Sequence, residues 1–454
     1  MPVSVVILAA GQGKRMHSDL PKVLQPLGGK TLLEHVVQTA AALKPAGIHV
    51  VYGHGGERVP NALRHLPVQW VLQAEQLGTG HAVMTALPKI SDEHDVLVLY
   101  GDVPLVRAGT MRALASRADR GELAILTARL TESAGYGRIL RDAENQVQRI
   151  VEDKDATAGE RRINEINTGL LACKTGLLRG WLAKVRNHNV QKEYYLPDVI
   201  PMAVKEGILV SGIMAEEESE VAGVNDRRQL AAAESVLRQR NADALMQQGV
   251  TLRDPVRLDV RGNLLCGRDV VLDINCVFEG EVKLGNRVHI GPNVSIRNCE
   301  IGDDTEVFAQ CALDGARIGA RVRIGPFARL RPETVLADEA HIGNFVEVKK
   351  SRIGKNSKAN HLAYLGDADI GHGVNVGAGT ITCNYDGVNK HRTVIGDDAF
   401  IGSNASLVAP VTVGAGATIG AGSVIARDAP AGTLTLERAE QKTVMGWQRP
   451  KKQS

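Results

Sequence analysis

The six cysteines of this chain, Cys173, Cys266, Cys276, Cys299, Cys311 and Cys383, form no Cys-x-x-Cys pair and share no zinc-type spacing with histidines. That excludes a zinc-ribbon module and points to reduced, packed thiols. Neither charge sign dominates: 54 Lys plus Arg face 51 Asp plus Glu, for a formal charge of +3. The broad basic surface that polynucleotides require is therefore missing. No long apolar run is present either. The opening MPVSVVILAAGQGKRM is too short for a membrane span and turns glycine-rich and basic where a signal peptide would offer a cleavage site, so a cytoplasmic, unanchored protein is expected. Aromatics make up only 3% of the residues against 48 glycines, which crowd the second half beside Ile or Val.

At 454 residues the chain exceeds what one hydrophobic core organises. Residues 1–226 alternate β-branched runs (VSVVIL, IHVVYG, DVLVLYGD) with amphipathic stretches such as TLLEHVVQTAAAL, the pattern of a mostly parallel, Rossmann-like α/β sheet. Residues 227–249 lack Gly and Pro until Gly249 and read as one linking helix with a glycine C-cap. From residue 250 to 454 aliphatic-Gly pairs recur, among them Leu284-Gly285, Ile290-Gly291, Ile301-Gly302, Ile318-Gly319, Ile324-Gly325 and Ile401-Gly402. A six-residue period with one inward aliphatic per repeat predicts a parallel β-helix, because each coil buries its aliphatics only against the next; a flexible linker would be aperiodic. The longest break, between Val376 and Ile395, contains GAGTITCNYDGVNKHRTV and is expected to loop out as part of a binding face.

Leu8-Ala9-Ala10-Gly11-Gln12-Gly13-Lys14-Arg15-Met16 follows directly on a buried-type strand, with Pro21-Lys22 shortly after. Glycines let backbone N–H groups approach a phosphate, and Arg15 and Lys22 supply charge. A dinucleotide-binding G-x-G-x-x-G fails here, since Met16 holds the third glycine position. Asp102, in Tyr100-Gly101-Asp102 at a strand's carboxyl end, suits a metal on a triphosphate.

The Leu-x-x-Gly-x-Gly-x-Arg-Met and Pro-Lys elements resemble the sugar-phosphate nucleotidyltransferase signature. With Gln73-Ala74-Glu75-Gln76-Leu77-Gly78-Thr79-Gly80-His81, Tyr100-Gly101-Asp102 and Gly135-Tyr136-Gly137-Arg138 in order, the whole chain is similar to the bifunctional N-acetylglucosamine-1-phosphate uridyltransferase / glucosamine-1-phosphate N-acetyltransferase family. The resemblance implies UDP-N-acetylglucosamine synthesis for cell-envelope polymers, with UTP and acetyl-CoA as co-substrates and Mg²⁺ as cofactor. It implies a nucleotide site of Leu8, Ala9, Ala10, Gly11, Lys22, Gln73, Gly78, Thr79 and Gly101, sugar and ribose contacts from Tyr100, Gly137, Glu152 and Asn167, and Mg²⁺ on Asp102 and Asn225.

Acetyl transfer to an amine needs a base and oxyanion donors. His361 is the candidate base. By resemblance, Arg331, Lys349, Tyr364, Asn375, Asn384 and Tyr385 hold the amino-sugar phosphate, while Ala378, Ser403, Ala421 and Arg438 meet acetyl-CoA. Asn360 stands where the family pattern has Gly, and Glu437 and Glu440 flank Arg438 where it has Ser and Pro. The resemblance further implies a left-handed β-helix and a homotrimer with acetyltransferase sites between subunits. A pyrophosphorylase whose β-helix only oligomerises, or a scaffold with a vestigial nucleotide fold, are the competing readings.

Overall fold

The computed structural model describes residues 1–454 apart from Gln12, Lys451, Gln453 and Ser454. The chain divides into two compact units, Met1–Leu237 and Arg238–Ser454.

The first unit is built on a twisted sheet whose main path runs Val210–Met214, Leu123–Arg129, Glu165–Lys174, Asp95–Tyr100, Val3–Leu8, Gly47–Tyr52 and Gln69–Leu72. Neighbours are parallel except that Glu165–Lys174 runs antiparallel to both its partners. Val5, Val6 and Ile7 are all 0% exposed, and successive residues of this strand enter separate cores on the two faces. That double burial explains why the strand reads as an unbroken apolar run instead of an alternation. Leu8 pairs in register with Tyr100, and the Gly101 amide donates to the Leu8 carbonyl at 2.9 Å. The glycine-rich loop and the Gly101-Asp102 turn thus leave the sheet side by side, at the carboxyl ends of two adjacent parallel strands, where α/β folds place ligands.

The helix expected over residues 227–248 is found at Arg227–Gln247. Gly249 adopts φ +92°, and its amide donates to the Met246 carbonyl at 3.0 Å. This is a glycine ending of the left-handed type.

The second unit is a parallel β-helix with three short strands per coil, for example His289–Ile290, Ser295–Arg297 and Glu300–Ile301. Side-chain rungs connect residues 17 or 18 apart, the length of one coil. Ile301, Ile318, Leu336, Ile353 and Ile370 stack inward on one face, each no more than 5% exposed. Glycine follows several of these aliphatics because the next coil passes directly behind it: a Cβ on Gly302 would lie 2.7 Å from the Gly319 carbonyl carbon. One corner is turned by residues in the left-handed region, running Asn275, Asn293, Gln310, Phe327, Phe345, Leu362, Gly379, Asn404 and Gly422.

The register break is narrower than the sequence suggested. Ile381–Cys383 is an ordinary rung paired with Tyr364 and Ser406–Val408, and only the residues from 385 to 392 swing out. Register resumes at once, with Ile370 beside Ile395 and Val376 beside Ile401.

Among the described residues all six cysteines are free, and no helix is long and apolar enough to cross a membrane.

Candidate functional sites

In the first unit a cavity of about 490 Å³ opens at the carboxyl edge of the sheet. It is lined by Leu8, Ala9, Ala10, Gly11, Lys22, Gln73, Gly78, Thr79, Tyr100 and Asp102, all singled out from the sequence. Glu193 joins them although no motif marked it. Its segment is pinned over the Gly78 turn: the Tyr194 amide donates to the Leu77 carbonyl, and the Gly80 amide to the Tyr194 carbonyl, both at 2.8 Å. Gly78 has φ +106°, and a Cβ there would lie 2.7 Å from the Tyr194 oxygen. Gln73 is buried, its amide nitrogen donating to His81 Nδ1 at 3.0 Å and to the Gly78 carbonyl at 3.3 Å.

Lys22 is the electrostatic centre. Its ammonium donates to the Asp102 carboxylate and, at 3.0 Å, to Asn225 Oδ1. The Val224 amide donates to the Asp102 carbonyl at 2.8 Å, tying these two distant segments together. Asp102 and Asn225 therefore present two hard oxygens to one point, a donor set that fits a divalent cation completing its shell with phosphate and water oxygens.

Gly137 packs closely against Glu152 and Asn167. A Cβ on Gly137 would lie 3.2 Å from Glu152 Oε1, and the Asn167 amide donates to the Gly137 carbonyl at 2.8 Å. Burial first, then Asp155, Asp198 and Asp153, push the Glu152 carboxyl above its ordinary value. Burial, followed by Asp102 and Glu152, holds the Tyr100 phenol protonated far above its usual range. It stays a neutral hydroxyl in the cavity. Arg15 lies exposed on the turn Lys14–Met16 and is not part of the lining.

In the second unit the β-helix register assembles a column. Asn344 pairs with His361, and the amides of Gly379, Asn404 and Gly422 donate to the carbonyls of His361, Ala378 and Ser403. With Ile401 beside Ile419, this sets His361, Ala378, Ser403 and Ala421 on successive coils at one corner. Arg438 reaches the end of that column: its Cδ lies 4.0 Å from a Cβ built on Gly422. Glu437 anchors there through its amide, which donates to Ser423 Oγ at 3.2 Å, and Glu440 is exposed. Asn375 lies between Lys358 and Phe400 in the adjoining strand ladder.

A second column carries cations. The Arg331 amide bonds the Val348 carbonyl, placing Arg331 and Lys349 on adjacent coils, while Arg331 Nη1 donates to Glu347 at 2.9 Å. Gly366 follows Lys349 in register, and the Tyr364 ring folds across it, with its oxygen 2.5 Å from where a Cβ would be. Asn384 is buried and donates to Asp367. Tyr385 is exposed, its hydroxyl on the Gly387 carbonyl at 2.5 Å. Lys390, unmarked in the sequence, lowers the Lys349 ammonium: the Lys390 contact is the largest cause, followed by burial, and Arg331 adds to it. Crowded cations of this kind favour an anion.

The chain matches the MobA-like NTP transferase domain over residues 5–165, the GMPPB C-terminal domain over 260–366 and the bacterial transferase hexapeptide repeats over 392–427. It is 56% identical over 453 residues to the bifunctional protein GlmU of Methylococcus capsulatus, covering 100% of this chain and 98% of that one. The GlmU protein of Aromatoleum aromaticum is 56% identical over 450 residues, with 99% of each chain covered. The chain belongs to the GlmU family. As a GlmU-family member it carries both a nucleotidyltransferase unit and a hexapeptide acyltransferase unit, and the first unit uses a divalent metal.

Proposed function

We propose that this GlmU-family enzyme acetylates glucosamine 1-phosphate with acetyl-CoA in its second unit and then couples the product to UMP from UTP in its first, giving UDP-N-acetylglucosamine and pyrophosphate. The observation that carries this reading is the coexistence of the Lys22–Asp102–Asn225 cavity with the His361 column in one chain. A β-helix serving only as an oligomerisation module would need neither His361 nor the Arg331–Lys349 pair.

In the first reaction the amine nitrogen attacks the thioester carbonyl, His361 takes the proton released from nitrogen, the C–S bond breaks, and the proton passes to the departing sulfur so that coenzyme A leaves as the thiol. Arg331 and Lys349, with Tyr364, Asn375, Asn384 and Tyr385, hold the sugar phosphate. Ala378, Ser403 and Ala421 let backbone groups meet the pantetheine arm, and Arg438 meets a phosphate. In the second, a phosphate oxygen of the sugar attacks the α-phosphorus and pyrophosphate departs. The nucleophile is already an anion, so positioning and charge neutralisation carry the step. Lys22 and Arg15 neutralise the triphosphate, Gln73, Gly78 and Thr79 read the uracil, and Tyr100, Gly137, Glu152 and Asn167 hold sugar and ribose. Mg²⁺ on Asp102 and Asn225 would polarise the α-phosphate.

The reading includes a homotrimer in the cytoplasm, with functional segments 1–226, 227–249 and 250–454. Purified protein given glucosamine 1-phosphate, acetyl-CoA, UTP and Mg²⁺ tests it by separate readouts of free thiol and pyrophosphate. Thiol followed by lagging pyrophosphate is expected; pyrophosphate only with preformed N-acetylglucosamine 1-phosphate would leave the β-helix without its assigned chemistry.

A further inference from the structure

We infer that Asn344 is the positioning residue that fixes the tautomer of His361, and that the acetyl-transfer rate depends on it. This rests on His361 being the base.

Asn344 and His361 occupy the same register position on adjacent coils, and His361 Nδ1 lies 2.6 Å from Asn344 Oδ1. A carbonyl oxygen only accepts, so Nδ1 carries the hydrogen and Nε2 keeps its lone pair. Nε2 is then the nitrogen that takes the proton from the substrate amine. An exposed imidazole without such a partner exchanges between both tautomers, and in one of them Nε2 is blocked.

The backbone around the pair is built to hold this contact. Phe345 and Leu362, the residues directly after Asn344 and His361, adopt φ +56° and +51°. Bulky side chains rarely accept this region, so both positions are strained. The Leu362 amide donates to the Asn344 carbonyl at 3.1 Å, locking the two rungs together. Phe345 is further braced by stacking on Phe327, at 5.2 Å between centroids and 17° between planes. Phe327 itself has φ +57°, and the rest of the corner is turned by Asn, Gln or Gly. The run of bulky left-handed residues, Phe327, Phe345 and Leu362, thus ends on the two rungs that carry the pair.

Three full-length variants test this, assayed by thiol release across pH. Asn344→Leu should lower kcat roughly 10- to 100-fold, as when a hydrogen-bond partner that orients a working histidine is removed, with KM for both substrates and the uridylyl-transfer rate unchanged. Asn344→Asp keeps an acceptor on Nδ1–H and adds a charge that favours imidazolium. It should recover most of kcat at high pH, with the acid limb of the profile displaced upward, a signature that a merely structural role would not give. His361→Ala separates the two claims: if it still transfers acetyl groups, the base assignment falls. If it is inactive while Asn344→Leu keeps kcat within about twofold of wild type, the positioning role is overturned. Failure of Asn344→Asp to displace the acid limb would overturn it as well.

Discussion

Gly169 and the Tyr100 ring touch so closely that a Cβ on the glycine would lie 2.6 Å from a ring carbon, and Gly169 has φ +86°. Gly169→Ala must therefore bear left-handed strain of about 1–2 kcal/mol and also push the ring toward the cavity. The first thermal transition should fall on the order of 5 °C, with a raised KM for N-acetylglucosamine 1-phosphate and intact thiol release. Calorimetry and the two assays check this; an unchanged transition would contradict it.

Asp102→Ala removes one of the two oxygens that converge with Lys22. Pyrophosphate release should drop by roughly 10²–10³-fold, as when one preorganised charge contact is lost. Acetyl transfer should be unaffected. Asn225→Ala should instead raise the Mg²⁺ concentration needed for half-maximal rate, read from a metal titration of pyrophosphate release.

Glu152 gives a pH dependence of defined sign. Its folded-state value is raised, by burial first and then by Asp155, Asp198 and Asp153. Its stabilising contribution is full below the unfolded carboxyl value and is lost as pH rises through the raised folded value. Glu152→Gln, which cannot ionise, should melt higher than wild type at pH 8, with the gap closing toward pH 4. A gap that widens on acidification would reverse the assignment.

Much of this was legible before the fold was known, for reasons tied to particular residues. Ile301, Ile318 and Ile353 each precede a glycine because the next coil crosses there, so local spacing reported a three-dimensional fact. The Gly11 and Asp102 turns were legible because both follow buried strands. Asn344, Lys390 and Glu193 were not. Each acquires its role through register across a coil or through a segment folded back over a glycine, and neither leaves a mark in neighbouring sequence. Lys22 was read as a phosphate contact, yet its bond to Asn225 spans 203 positions, beyond any local pattern.

Lys390 and Lys349 repel, so removing one should change the other. Lys390→Met should return the Lys349 ammonium toward its ordinary value while weakening the hold on the sugar phosphate. KM for glucosamine 1-phosphate should rise about tenfold, the effect of losing ~1.4 kcal/mol from a charge-assisted contact, with little change in KM for acetyl-CoA. A fall in KM for glucosamine 1-phosphate would mean the repulsion outweighs the attraction.

The corner column also works as a ruler. From His361 to Ala421 the chain climbs three rungs, at about 4.8 Å each, or roughly 14 Å in all. The outward loop between Asn384 and Arg392 adds residues without adding a rung, since Val376 and Ile401 remain partners. Distance along this face is thus counted in whole coils. The reach between the histidine and the column's end can lengthen or shorten only in steps of one strand spacing, whatever the loops between them do.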